Sequence, residues 1–182
     1  MDHDVQTTGR MSGMTIERID PDPRADERTM LRAFLDFHRE TLALKCDGLT
    51  PEQLRSRSVP PSSMSLLGLV RHIADVERSW FRRGLAGEDA PPRFYSDDNI
   101  DGDFDDVDGA DVAEAFAAWR EEIDHARRIE ASFTSLDDAP HNARIGKSIS
   151  VRWVMVHMIE EYCRHNGHAD LLRERLDGAA GE

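Results

Sequence analysis

A run of histidines and glutamates near the end of the chain is the part of this sequence best suited to chemistry. The stretch HMIEEYCRHNGHADLLRE contains His157, Glu161, His165 and His168 in a segment with a helical pattern. At about 100° per residue, these four side chains fall within about 80° of one another around a helix. Apolar residues flank this polar seam, which indicates that it faces the protein interior rather than solvent.

A buried carboxylate beside imidazoles is costly unless it is hydrogen-bonded or binds a cation. Glu161 and His165, at positions i and i+4, lie one above the other on a helix and could bind the same ion. A third ligand must come from another helix. His72, at the edge of an apolar stripe, is the candidate, and His38 in the first helix is the weaker alternative. From these residues alone, a metal site and a hydrogen-bonded cluster without metal both stay open.

Two known metal-enzyme patterns are absent from the sequence. There is no HExxH motif, and the Glu-x-x-His pairs of di-iron bundles are missing because Glu161 and His165 are one residue too far apart. The cysteines offer no rival nucleophile, since Cys163 points almost opposite to Glu161 and Cys46 lies at the end of the first helix. We predict that both are free thiols with a packing role.

Four amphipathic helices are predicted to position these residues. Apolar residues recur at three- and four-residue spacing in four segments that Gly, Pro and capping residues separate. The predicted helices run from Asp26 to about Gly48, from Ser65 to about Gly84, from Val112 to about Phe133, and from Ser150 to Leu176. No convincing strand or repeat appears. We therefore predict an all-α four-helix bundle with a long acidic loop between helices 2 and 3.

Length and composition indicate one cytoplasmic domain. In a chain of 182 residues, we predict a flexible N-terminal arm over residues 1–23, a bundle over 24–178 and a tail over 179–182. The arm is expected to dock through Met14, Ile16 and Ile19. The net charge of −13 argues against nucleic acid and anionic membranes as partners. No apolar run is long enough for a signal sequence or a membrane span.

The acidic loop offers a competing site. From Asp97 it reads DDNIDGDFDDVD, which fits the calcium-loop pattern D-x-N-x-D-G, with Gly102 sixth and Asp108 twelfth. The twelfth residue is Asp instead of the usual bidentate Glu, and the preceding segment cannot form the incoming helix of an EF-hand. Two interpretations stay open: a calcium-binding interaction module that uses Asp97, Asn99 and Asp101, or a solvated loop that covers the open end of the bundle.

Two motifs resemble a known superfamily. LVRHIADVERSW, which contains His72, and HMIEEYCRHNGHADLLRE, which is followed by LDG, closely resemble the DinB-like superfamily of four-helix bundles. The resemblance is to its actinobacterial branch of uncharacterised mini-circle-type proteins, and it extends from about residue 16 to residue 178. It implies a divalent metal held by one side chain of the second helix and two of the fourth, which here are His72, Glu161 and His165.

The residue types of the two ligands on the fourth helix indicate which activity to expect. Many members of the superfamily have His-x-x-x-His there, whereas its thiol-dependent maleylpyruvate isomerases have Glu-x-x-x-His, as this chain does at Glu161 and His165. The resemblance therefore implies a transferase or isomerase-like enzyme that uses a low-molecular-weight thiol such as mycothiol and a small electrophile. His168 is expected to lie next to the metal ligands or to face the substrate, and His157 is a further candidate for a position next to the ligands; neither is expected to bind the metal.

The sequence determines the identity of the metal and the activity less closely than it determines the site residues. Zinc suits nitrogen and oxygen ligands with one open position, and nickel, iron and manganese are also compatible. A homodimer is expected by analogy. The alternative function is a non-catalytic metal-binding stress-response protein, because resemblance predicts a site better than an activity. Arg152, Arg164 and Arg173 are candidates for binding a substrate carboxylate, although surface arginines are usually solvated.

Overall fold

The computed structural model is mostly helical, which confirms the predicted all-α class. It describes residues 7–11 and 14–181, with side chains from residue 16 onward. The α-helices are α1 (Glu27–Cys46), α2 (Pro51–Arg55), α3 (Leu66–Glu77), α4 (Gly102–Asp105), α5 (Val112–Ser132) and α6 (Val151–Asp177). In this part of the chain, none of the helices has the length and apolar character that crossing a membrane requires.

Helix α3 continues directly into a π-helical segment, Arg78–Leu85. A hydrogen bond from the backbone N–H of Ala86 to the carbonyl oxygen of Phe81, five residues earlier, closes the last wide turn. The apolar pattern predicted one regular helix through this region, because a pattern of three- and four-residue spacing does not distinguish α from π turns. Because π turns are wider than α turns, the side chains of this segment point in directions that differ from those in a regular α-helix.

Side chains cap the start of three long helices; Asp26 was the predicted cap of the first, and Ser65, one of the two candidates with Ser63, caps the second. Asp26, Ser65 and Ser150 each accept a hydrogen bond from the backbone N–H three residues later. These bonds satisfy N–H groups that have no partner inside the helix. Gly178 ends α6 in the left-handed conformation, with a φ of 80° that costs glycine little.

The long helices pack around one apolar core. Helix α1 contacts α6, and α3 contacts both α5 and α6. Residues with almost no exposed surface fill the space between them, among them Leu35, Leu42, Leu69, Ile73, Met158 and Leu172. This packing brings α3, which contains His72, next to the helix that contains the polar seam.

Two short hairpins contain strands that the sequence pattern did not indicate. Strands β1 (Thr7–Met11) and β2 (Met14–Arg18) pair antiparallel, and β3 (His141–Asn142) pairs with β4 (Lys147–Ser148). Runs of two to five residues are too short to establish the alternating pattern by which strands are recognised.

The first hairpin falls within the predicted N-terminal arm. Ile16 is buried, which agrees with a docking role, whereas Ile19 is 63% exposed. Helix α1 contacts both strands of this hairpin. The side chain of Met14 and residues 1–6 and 12–13 lie outside the described residues. The boundaries of the arm, the bundle and the tail therefore stay predictions.

A buried polar network connects all four long helices. The Arg39 guanidinium donates from Nε and Nη2 to the two carboxylate oxygens of Glu77, at 2.8 and 2.9 Å. The Tyr162 hydroxyl donates to Glu77 Oε1 at 2.9 Å and accepts from Trp119 Nε1 at 2.9 Å. Burial alone would lower the pKa of Arg39, but attraction to Glu77 outweighs it and leaves this pKa raised. Burial and Glu77 raise the pKa of Tyr162 well above 10, so its hydroxyl remains a donor.

Replacing Arg39 with methionine is expected to lower the free energy of unfolding by about 3–5 kcal/mol, because the carboxylate of Glu77 would stay buried without its counter-ion. Urea unfolding measures this loss. The control is Arg127→Met, which removes an exposed ion pair with Asp36 and is expected to cost less than about 1 kcal/mol. Similar losses in the two variants would contradict a special role for the buried pair.

Candidate metal centre

The three predicted metal ligands lie together between α3 and α6. His72, Glu161 and His165 each place one ligand atom within 4.8 Å of the others. The ring centroids of His72 and His165 are 4.6 Å apart, and Glu161 Oε2 is 3.5 Å from His165 Nε2. Among the described residues, this is the one group of three histidine, cysteine or acidic side chains gathered in this way. We call these three side chains the triad.

The triad is partly shielded from solvent. The side chains of His72, Glu161 and His165 are 27%, 24% and 12% exposed. The hydrogen bond with His165, together with the nearby imidazoles of His157 and His72, lowers the pKa of Glu161 against the opposing effect of burial. Glu161 is therefore a carboxylate at neutral pH. Two imidazole nitrogens and one carboxylate oxygen are the donor set of many zinc sites with an open position, so the residues present fit a metal.

Asp103 orients the imidazole of His72. Its Oδ2 lies 2.7 Å from His72 Nδ1, and Asp103 is only 4% exposed. A carboxylate accepts hydrogen bonds, so Nδ1 carries the proton and Nε2 keeps a lone pair for a metal. Metal-binding histidines usually have such a partner on the second nitrogen.

The sequence did not predict this role for Asp103, which was included in the acidic loop only as one of many aspartates. One signal was present. Phe104 follows it as an apolar residue within an acidic run, and its ring lies 5.2 Å from the ring of His72. An aromatic residue in such a run indicates that the loop is anchored to the protein.

The remaining histidines of the polar seam contact the triad. His168 Nδ1 is 3.4 Å from His165 Nδ1, and His157 Nε2 is 3.3 Å from Glu161 Oε1. Burial and the charges of His165 and Arg164 lower the pKa of His168, which is therefore a neutral imidazole able to accept a hydrogen bond from His165. These positions agree with the predicted supporting role, which itself stays a prediction.

His38 and the two cysteines lie outside the triad. His38 Nε2 is 3.1 Å from Cys163 Sγ, so the weaker alternative ligand is not part of the cluster. Cys46 and Cys163 are free thiols, as predicted. Burial raises the pKa of Cys163 and raises that of Cys46 to about 12. Neither residue is an activated nucleophile.

Two residues of the proposed calcium loop contact other side chains. Asp108 pairs with Arg57 at 2.7 Å, and the amide of Asn99 donates to Asp106 at 3.0 Å. Gly102 begins helix α4 instead of forming the turn of a calcium loop. Within the described part of the chain, the loop carboxylates form no cluster comparable to the triad. These contacts do not favour the calcium module.

A cavity of about 260 Å³ opens beside the triad. His72 lies in its wall, and the segment that follows α3, the acidic loop and the β3–β4 hairpin provide the rest. The lining side chains include His72, Trp80, Tyr95, Ile100, Asp103 and Arg144. We call this space the triad cavity. A pocket with a few polar groups beside a metal-binding cluster is the usual form of an active site.

Trp80, which lines the triad cavity, belongs to a cluster of three aromatic rings. The ring of Trp80 lies 5.1 Å from that of Trp153, and His157 contacts both, at 4.7 Å from Trp80 and 4.8 Å from Trp153. Trp80 belongs to the π-helical segment. Such segments are frequent at functional sites, and here the segment places the Trp80 ring in the cavity wall and against His157.

The arginines predicted as candidates for a substrate carboxylate are engaged elsewhere. Arg152 pairs with Glu27 at 2.6 Å, and Arg164 lies 3.5 Å from Glu160. Arg173 donates to the backbone carbonyl oxygens of Lys45 and Asp47 at the end of α1, and to the carboxylate of Asp177 at the end of α6. None of the three is among the side chains that line the triad cavity in the described structure. The hairpin residue Arg144 lies there instead.

Comparison with known protein families assigns a family to most of the chain. The chain matches the mycothiol S-transferase family over residues 30–178, a range that includes the triad, Asp103 and the triad cavity. No curated protein and no solved structure matches the chain.

Replacing Asp103 with asparagine is expected to weaken zinc binding by about 10- to 100-fold, because the amide cannot hold the proton of His72 on Nδ1 as a carboxylate does. Competition with a chromophoric chelator measures the affinity. Asp105→Asn is the matched control, since Asp105 is an exposed aspartate of the same short helix. Equal affinities in the two variants would show that Asp103 does not orient the ligand.

Proposed function

The chain belongs to the mycothiol S-transferase family, within the DinB-like superfamily, and from this we propose that it is a metal-dependent enzyme that transfers mycothiol to a small electrophile. The predicted resemblance to the superfamily is confirmed. Membership of the mini-circle-type branch stays a prediction. We further propose that α1, α3, α5 and α6 form the superfamily's four-helix bundle, with the acidic segment between α3 and α5 as its long loop.

The observation that supports the function is the triad. Two imidazoles and one carboxylate leave a divalent ion with net positive charge and at least one open position. When bound, the ion would supply Lewis acidity, which favours the thiolate form of the thiol. We propose zinc; nickel, iron and manganese are the other metals that this donor set accepts.

The chain's own residues hold this arrangement in place. Asp103 fixes the tautomer of His72, and His168 is placed to do the same for His165. His157 contacts the Glu161 oxygen that does not face His165, which restricts rotation of the carboxylate. Ligands that are held in this way need little rearrangement when substrates arrive.

The transfer requires no oxidant and no protein nucleophile. In a displacement, the thiol sulfur forms a bond to the electrophilic carbon, the leaving group departs, and the thiol proton passes to solvent. In an isomerisation, the thiol adds to a double bond and is later eliminated, so it is not consumed. The raised pKa values of Cys46 and Cys163 agree with a reaction that uses the cosubstrate's thiol alone.

The triad cavity favours an enzyme over the alternative of a non-catalytic metal-binding protein. A binding protein needs only the three ligands, whereas His72 here also lines a space large enough for a small molecule. A homodimer, by analogy with the family, and a cytoplasmic location are further parts of the proposal.

Protein purified without a His tag or chelator is expected to contain about one equivalent of a divalent transition metal. His72→Ala and Glu161→Gln should lose it, because two ligands bind more weakly than three. His125→Ala is the control, since His125 lies on α5 and pairs with Glu88. A parent protein without metal, even after reconstitution with zinc, nickel and manganese, would overturn the metal site.

The metal-loaded protein is expected to form the mycothiol adduct of 1-chloro-2,4-dinitrobenzene, detected by mass spectrometry and by absorbance. Glu161→Gln should reduce kcat/KM at least about 100-fold, because the Lewis acid is lost. His125→Ala should retain the parent rate. If the metal-loaded parent forms no adduct with this or other halogenated and unsaturated electrophiles, the proposed transferase activity is rejected. The alternative of a non-catalytic metal-binding protein would then be retained.

A further inference from the structure

The β3–β4 hairpin brings Arg144 to the triad cavity. Asn142 is buried at the base of the hairpin, where its side-chain oxygen accepts the backbone N–H of Arg144 at 3.1 Å. Its backbone carbonyl accepts the N–H of Gly146 at 2.9 Å, and Gly146 has a φ of 65° that suits glycine. A Cβ atom on Gly84 would lie 3.0 Å from Asn142 Nδ2, so the hairpin packs closely on the π-helical segment. These contacts fix the turn that presents Arg144.

The guanidinium of Arg144 lies against an aromatic ring and lacks an acidic partner. Its central carbon is 5.2 Å from the centroid of the Trp80 ring. No carboxylate within the described residues lies in ion-pair distance of it, although most arginines of this acidic protein have one. A guanidinium stacked on an indole keeps its N–H groups at the edge of the plane, where they match both oxygens of a carboxylate.

Acidic side chains in the same wall do not neutralise Arg144. Both oxygens of Asp75 accept backbone N–H groups at 2.8 Å, and Asp103 is paired with His72. Asp101 is exposed at the rim and is in contact with solvent. Of the residues described in this cavity wall, Arg144 is the one arginine or lysine. Its charge is therefore available to a ligand.

Two exposed apolar side chains lie near Arg144. Ile100, which is 74% exposed, lines the cavity. Trp153, which is 47% exposed, lies outside the lining but its ring is 5.1 Å from that of Trp80, and it stacks on His157 with an angle of 20° between the ring planes. Exposed apolar groups around a cavity are surface that a ligand can cover, and indole rings favour planar ligands.

We propose that Arg144 binds a carboxylate on the electrophile and that Trp80 and Trp153 contact its ring, so the substrates are aromatic electrophiles with a carboxylate. The inference rests on the proposed function, because it names the electrophile of that site. The reaction forms a bond between the thiol sulfur and a ring carbon and breaks the bond from that carbon to a halide. The halide leaves as an anion, and the thiol proton passes to solvent.

Binding without turnover tests the subsite directly. The probes are 3-nitrobenzoate and the neutral 3-nitrobenzamide, titrated into zinc-loaded protein without thiol while tryptophan fluorescence is measured. Trp119 is buried and hydrogen-bonded to Tyr162, so quenching reports on Trp80 and Trp153. The parent should bind the carboxylate at least about 10-fold more tightly than the amide, as expected for a hydrogen-bonded charge pair.

Arg144→Gln should abolish this preference. Arg120→Gln is the matched control, because Arg120 also lies over an aromatic ring, that of Phe116, but on α5 and outside the triad cavity. It should retain the parent's preference. Equal binding of the two probes by the parent, or a preference that survives in Arg144→Gln, overturns the subsite.

Turnover separates this inference from the proposed function. With mycothiol, 4-chloro-3-nitrobenzoate should have a higher kcat/KM than 4-chloro-3-nitrobenzamide, and Arg144→Gln should remove the difference. Adducts formed equally well from both compounds would overturn the subsite and retain the transferase. Binding of 3-nitrobenzoate that depends on Arg144, without any adduct, would retain the subsite and reject the transferase.

Discussion

The hydrogen bond between Tyr162 and Glu77 fixes α6 against α3, and the position of the triad depends on it. Tyr162 follows Glu161 directly in the chain, and Glu77 lies on the same helix as His72. Successive residues of a helix point about 100° apart, so Tyr162 enters the core while Glu161 faces the imidazoles of His157 and His165. A shift of α6 along α3 would break the buried bond and would also separate the ligands.

The buried Glu77 and the half-buried Glu161 are stabilised in different ways, and the difference indicates which of them has a structural role and which can bind a ligand. Glu77 is neutralised by Arg39 and is completely enclosed, which suits a structural role. Glu161 faces only imidazoles, at contacts of 3.3 to 3.5 Å, and retains some exposure. A carboxylate that is stabilised without being fully neutralised can still bind a cation. The two glutamates show how one pair of helices contains both a fixed ion pair and a candidate binding site.

The acidic loop is anchored at both ends, and these anchors explain why Asp103 reaches His72. At its start, backbone N–H groups bind Asp75 of α3. Near its end, Arg57 pairs with Asp108 and donates to a nearby carbonyl oxygen. Between the anchors, the ring of Phe104 lies over Gly68, where a Cβ atom would come within 2.7 Å of that ring. A glycine in α3 therefore allows the loop to pack closely beside His72.

The parts of this site that the sequence predicted are those that helix geometry determines locally. The spacing of Glu161 and His165 places both on one helix face whatever the rest of the chain does. The apolar stripe around His72 indicated that this residue borders the core. The resemblance to the superfamily then predicted that His72 lies beside Glu161 and His165. Asp103 and Arg144 lie in connections, where contacts with distant residues set each position and no periodic pattern records them. The π-helical segment that aims Trp80 was unpredictable for the same reason.

This division between helices and connections has a consequence for function. The triad belongs to two long helices, whose relative position the buried network fixes, so related chains can share it while their loops differ. The residues that would contact the electrophile come instead from the β3–β4 hairpin, the acidic loop and the π-helical turn. Family membership therefore says more about the thiol and the metal than about the electrophile. For that second partner, the chemistry of the loops in this particular chain is the better guide, and here it includes an unneutralised guanidinium against an indole ring.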